Sequence, residues 1–131
     1  MSIIIDSDIL IYFLKGHYEI VSRLSSFPLE AIFTTRINYT ELLYGAYNSA
    51  QIENNLRKIT AFLNTLSILE FDQKAGTIFA QEKARLKQQG ILIADIGLII
   101  ASITMELHCT KRYRNKTYPQ FLINTRWSLL S

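Results

Sequence analysis

The sequence predicts an α/β domain built on a parallel sheet, and three observations carry that expectation. Short apolar runs of strand length alternate with longer segments of helical spacing. The first run, Ile3-Ile4-Ile5, is apolar at every position, as in a strand covered on both faces. The 131 residues, 49% hydrophobic against 19% charged, suffice for one domain spanning 1–131 with its own core, and they argue against disorder.

The elements follow in chain order. The first strand stops at Asp6, where Ser7 or Asp8 can cap the helix that follows by accepting one of its orphan N–H groups. Lys15-Gly16 marks a break. His17 to Ser26 is a second helical piece with Ile20, Val21 and Leu24 on one side, and Pro28 ends it. Ala31 to Thr35 reads as a second strand. Arg36 to Ala46 follows as a helix whose apolar face carries Ile37, Leu42 and Ala46, with Glu41 inside an apolar turn.

Between Gln51 and Leu66 the apolar residues Ile52, Leu56, Ile59, Leu63 and Leu66 recur at helical steps. Ser67 to Phe71 is a short third strand. Asp72 is the expected N-cap of a helix with Ala75, Phe79 and Leu86 inward and Glu82, Lys83, Arg85 and Lys87 outward. Gly90 lies beyond its end. Leu98 to Leu107 is apolar nearly all round, so it should be a buried helix, with Asp95 at its dipole-favoured start. A further strand is expected near Leu107-His108-Cys109-Thr110, and the alternating tail Phe121 to Trp127 suggests an edge strand.

Composition narrows the function. A single cysteine cannot form an intrachain disulfide and fits a reducing, cytoplasmic location. The amino terminus lacks the pattern of a signal peptide. The longest apolar run is well short of the roughly 18–20 residues that span a bilayer. A formal net charge of +3 permits a polyanionic partner without requiring one. GxGxxG, GxxxxGK[ST] and HExxH are all missing, and two histidines with one cysteine give no zinc pattern.

Three carboxylates stand out by placement: Asp6 after a strand, Glu41 in an apolar helix turn, and Asp95 at the mouth of a buried helix. In a parallel sheet, the strand ends and the helix starts share one edge, where ligands bind. Carboxylates gathered there repel one another unless a cation neutralises them. Mg²⁺ suits such a site, being hard and content with few carboxylates plus water. The bland alternatives are a helix cap for Asp6 and a surface position for Glu41. Lys111, Arg112, Arg114 and Lys116 surround Tyr113 in a basic cluster suited to RNA phosphates and base stacking, or else to a solvated edge. His108 and Cys109, as strand neighbours, would point to opposite faces and form no nucleophile pair.

Together these segments resemble the PIN domain, in its VapC type of toxin ribonuclease. Ile4 to Ile11 is similar to the family's opening motif, an apolar strand followed by Asp, Ser/Thr and Asn/Asp. Ile37 to Gly45 is similar to its second acidic motif, and Ile68 to Asp72 with Gly90 to Ile93 matches its middle region. The resemblance implies a three-layer domain: a central, mostly parallel sheet of about four to five strands with helices on both faces. It also implies a Mg²⁺- or Mn²⁺-dependent endoribonuclease that hydrolyses RNA phosphodiesters with metal-activated water. The implied partners are a VapB-type antitoxin and a second copy in a homodimer, with no membrane. It makes Asp6 and Glu41 catalytic and metal residues, supported by Ser7 and Asp8. Asp95 matches an acidic neighbour of the family's third ligand, and either it completes the catalytic and metal set from a displaced position or the site is short of one carboxylate. Arg114-Asn115 fits the end of the family's last motif, and with the basic cluster this makes Arg112, Tyr113, Arg114, Asn115 and Lys116 the expected RNA-binding residues.

Two departures qualify the pattern. The family's third acid directly precedes an apolar run, and Gly97 holds that place before Leu98-Ile99-Ile100-Ala101-Ser102. Asp95 lies two residues earlier. Lys111-Arg112-Tyr113 replaces the apolar pair and Thr of the last motif. The competing expectation is therefore a catalytically impaired PIN domain that binds antitoxin or RNA without cutting. A third is a structural α/β domain, which requires Glu41 to be exposed and distant from Asp6.

Overall fold

The computed structural model describes residues 3–109 and 120–122. The chain alternates as expected: strand β1 (Ile3–Ile5), helices α1 (Ser7–Leu14) and α2 (Tyr18–Ser25), strand β2 (Ile32–Thr35), helices α3 (Arg36–Tyr47) and α4 (Ile52–Leu63), strand β3 (Ser67–Leu69), helices α5 (Gln73–Gln88) and α6 (Asp95–Cys109), and strand β4 (Gln120–Leu122). The sheet order is β3-β2-β1-β4 with every pairing parallel. β1 is therefore central, and β4 lies at the edge of the described sheet, overlapping the expected tail strand at Phe121 and Leu122; the remainder of that tail lies outside the described residues.

The uninterrupted apolar character of β1 has a direct cause. Successive side chains point to opposite faces, and both faces are covered. Ile3 and Ile5 join a cluster with Ile9, Leu10, Ile20, Leu24, Leu42 and Leu63, from α1 to α4. Ile4 joins Phe33, Ala75, Ile103 and Leu107, beneath α5 and α6. Sheet and two helical layers make the three-layer architecture. Tyr12, Phe13 and Tyr39 pack against the first cluster, whereas Tyr44 is exposed.

Local signals account for most boundaries. Thr35 caps α3 by accepting the N–H of Asn38, and Asp72 caps α5 by accepting that of Ala75 at 2.9 Å. Gly16 and Gly90, each following a helix, take φ of +74° and +72°, which a side chain would resist. Arg36 at the start of α3 forks onto Glu70 beyond β3 and lies over the Tyr39 ring at 4.5 Å.

The structure corrects several expectations. No strand begins at Leu107: α6 runs on through Cys109, because Ile100, Ile103 and Leu107 keep the spacing of one buried helical face. His108 and Cys109 are thus consecutive helical residues. Neither Ser7 nor Asp8 is the cap of α1. Asp6 occupies that position, and its side chain makes no capping bond. On α5, Ala75 is buried but Phe79 and Leu86 are only half-buried, while Glu82, expected outward, is half-buried and pairs with Arg85. Ile52 stays exposed on α4.

Candidate functional site

The parallel order places the carboxyl ends of β1 and β2 side by side. The Thr34 hydroxyl donates to the Ile5 carbonyl at 2.8 Å, tying the two strand ends together. Asp6 emerges from one strand and Thr35, opening α3, from the other. Asn38 and Glu41 stand three residues apart on α3, hence on one face, and that face looks toward Asp6.

A continuous set of hydrogen bonds results. The Asn38 amide donates to Asp6 Oδ1 at 2.7 Å and to Ser7 Oγ at 3.0 Å. The Ser7 hydroxyl donates to Glu41 Oε2 at 3.0 Å. The Thr35 hydroxyl donates to Asn38 Oδ1 at 2.7 Å. Ser7, Thr35 and Asn38 are buried, Asp6 is half-buried, and Glu41 is exposed as a residue with its bond to Ser7 partly buried. The Asp6 carboxylate is therefore not occupied in capping a helix. Glu41 is exposed but linked to Asp6 through Ser7 and Asn38, whereas the structural reading required the two acids to be distant.

The electrostatics agree with the geometry. The Glu41 carboxyl is pushed above its ordinary range, first by burial and then by the negative charges of Asp6 and Asp8, against the opposing hydrogen bond from Ser7. Two acids joined through the same pair of neutral donors are a donor set for a cation. Mg²⁺ commonly binds through one or two carboxylates with water completing its shell, so Asp6 and Glu41 fit that ion.

Asp95 is placed differently. It opens α6 as expected, and its carboxylate pairs with Lys83 of α5 at 3.0 Å, both side chains more than half exposed. Among the described residues, no three His, Cys, Asp or Glu side chains converge closely enough to hold a metal. Gly97, half-buried in the first turn of α6, has room: a Cβ built there meets nothing within 4 Å. The candidate RNA-binding residues Arg112, Tyr113, Arg114, Asn115 and Lys116 lie outside the described residues.

Sequence reasoning assigned no role to Asn38, Thr34 or Thr35. A polar residue one helical turn before Glu41 and three after a Thr was the available signal, since an asparagine between apolar positions must find partners inside.

Comparison with known proteins adds four findings. The PIN domain model matches residues 3–111. The ribonuclease VapC2 of Haemophilus influenzae is 35% identical over 99 residues, 75% of this chain and 74% of its own. Among solved structures, VapBC2 from Rickettsia felis bound to a promoter DNA fragment has a similar fold, with TM-score 0.73 and 24% identity over 92% of this chain and 97% of that one. VapBC-1 from nontypeable Haemophilus influenzae gives TM-score 0.69 at 26% identity, covering 92% and 96%. No helix among the described residues is long and apolar enough to cross a membrane.

Proposed function

The chain belongs to the PIN domain family, and from that premise we propose that it is a Mg²⁺-dependent endoribonuclease, the toxin of a type II toxin–antitoxin pair. The observation that carries this reading is the approach of Glu41 to Asp6 through Ser7 and Asn38. Asp6 and Glu41 would hold the ion, with Mn²⁺ an acceptable substitute. Such an ion, when bound, lowers the pKa of water toward neutrality and stabilises the oxygen that leaves phosphorus. Asp8 adds negative charge beside Glu41. Ser7 and Asn38 orient the two acids by donating to them. Asp95 would join the site after exchanging its bond to Lys83. Arg112, Tyr113, Arg114, Asn115 and Lys116 would hold RNA by phosphate contacts and stacking.

The VapBC relatives also support an antitoxin partner. A VapB-type antitoxin is the proposed protein partner, a homodimer the proposed assembly, and the cytoplasm the proposed location. The second reading, an impaired PIN domain that holds antitoxin or RNA without cutting, draws on Gly97 and on the Lys83–Asp95 pair.

RNA cleavage measured against Mg²⁺ concentration separates the two. The nuclease reading expects saturable dependence on Mg²⁺, with Asp6→Asn lowering the rate by more than the roughly 10–100-fold typical of residues that only support a ligand. Absence of both cleavage and saturable metal binding favours the binding protein.

A further inference from the structure

Asn38 is fully buried, and every hydrogen-bonding atom of its side chain is engaged. The direction of each bond is fixed. Ser7 has one hydroxyl proton, and Glu41 receives it at 3.0 Å, so toward Asn38 the Ser7 oxygen only accepts. The Thr35 oxygen accepts the Asn38 backbone N–H at 3.1 Å, and its proton goes to Asn38 Oδ1. All the protons on this path therefore point toward the two carboxylates. A primary amide donates twice and accepts once without carrying charge or titrating. An aspartate in its place would set a third negative charge against Asp6. A leucine would leave the Thr35 hydroxyl without its acceptor and both Asp6 and Ser7 without this donor.

Resting on the metal-site reading above, we propose that Asn38 is the positioning residue of the acid pair, setting Asp6 directly and Glu41 through Ser7 so that both carboxylates meet a divalent ion as one unit. Asn38 touches neither ion nor RNA. Its part is to supply neutral donors that hold the acids in place while leaving their charge for the cation. Ser7 is the relay, and Thr35 fixes the amide's orientation from behind.

The test is Mn²⁺ affinity, measured by electron paramagnetic resonance on the full chain and its variants, with folding checked by circular dichroism. Asn38→Ala is expected to weaken binding about 10–100-fold, as when a ligand loses its supporting hydrogen bond. Because Asn38 reaches Glu41 by way of Ser7, the effects of Asn38→Ala and Ser7→Ala should fall short of additive in the double variant. Asp72→Ala removes the cap of α5 and should leave Mn²⁺ affinity unchanged; a merely structural Asn38 would behave in the same way. A folded Asn38→Ala with unaltered affinity overturns the proposal. Should that variant not fold, Ser7→Ala decides instead, and unchanged affinity there overturns it equally. If the natural chain binds no Mn²⁺ saturably, the nuclease reading fails separately. Asn38 is then judged from the carboxyl ¹³C resonances of the metal-free protein: displacement of both Asp6 and Glu41 by Asn38→Ala supports the relay, and an unmoved Glu41 refutes it.

Discussion

Asp6 and Asp95 each stand where a helix begins, and the protein secures them by opposite means. Asp6 is held by a buried neutral amide that is itself anchored at Thr35. Asp95 meets the ammonium of Lys83 on an exposed surface, beside the exposed apolar run Ile91, Leu92, Ile93 and Ile96. A pair of that kind contributes about 0–1 kcal/mol and weakens with salt. The difference matters for cation binding. A carboxylate oriented by neutral donors keeps its charge available, whereas one already matched to a lysine must first give up its partner. On the proposed reading, Asp6 and Glu41 form the half of the site prepared for an ion, and Asp95 the half that is not.

The largest expected effect comes from supplying the unprepared half with an acid. Gly97→Asp should raise Mg²⁺-dependent RNA cleavage on the order of tenfold or more, by analogy with what ligand support contributes. The space around a Cβ at that position makes the substitution compatible with the fold. An unchanged cleavage rate would mean that Gly97 is not what distinguishes the two halves.

A smaller effect should follow from releasing Asp95. Lys83→Met removes the pairing charge, and metal affinity should rise by about two- to fivefold, within the range of a surface ion pair. Combining it with Asp95→Ala should cancel the gain. Isothermal titration with Mg²⁺ checks both, and a Lys83→Met gain that survives Asp95→Ala would take Asp95 out of the site.

The smallest effect concerns the stability cost of the prepared half. The Glu41 carboxyl titrates above its ordinary value of 4.5 because of burial and the charges of Asp6 and Asp8. A carboxyl raised in the folded state makes its ionised form unfavourable to folding. That cost is full above the raised value and disappears once both states are protonated, below pH 4.5. Glu41→Gln should therefore raise Tm at neutral pH by about one or two degrees, as a fraction of a kcal/mol would in a domain of this size. The gain should vanish in thermal melts below pH 4.5. A lowered Tm at pH 7 would contradict the picture of two acids held close at a cost.

Much of this was readable from the residues. Ile3-Ile4-Ile5 announced a strand covered on both faces, and Asp72 and Gly90 marked the bounds of α5, because each signal is local and rests on a single backbone requirement. The junction of Asp6 and Glu41 followed from parallel strands sharing an edge. Asn38 was missed because its importance is relational. Nothing in Ile37-Asn38-Tyr39 shows that an amide will face Ser7 from another strand's end. Lys83 is exposed as expected, but its meeting with Asp95 was not legible, since it depends on how α5 and α6 cross. The strand expected at Leu107 failed because a short apolar run suits a buried helix as well as a strand.

The open space around Gly97 has a consequence for how such a protein changes over generations. Two of the four glycine codons differ from an aspartate codon by one base, and among the described residues a Cβ at this position meets nothing within 4 Å. If Gly97→Asp raises cleavage as expected, a lineage with this scaffold could move between weaker and stronger cleavage in a single mutational step. On the proposed reading of a nuclease toxin, that would be a short path to attenuation, and an equally short path back.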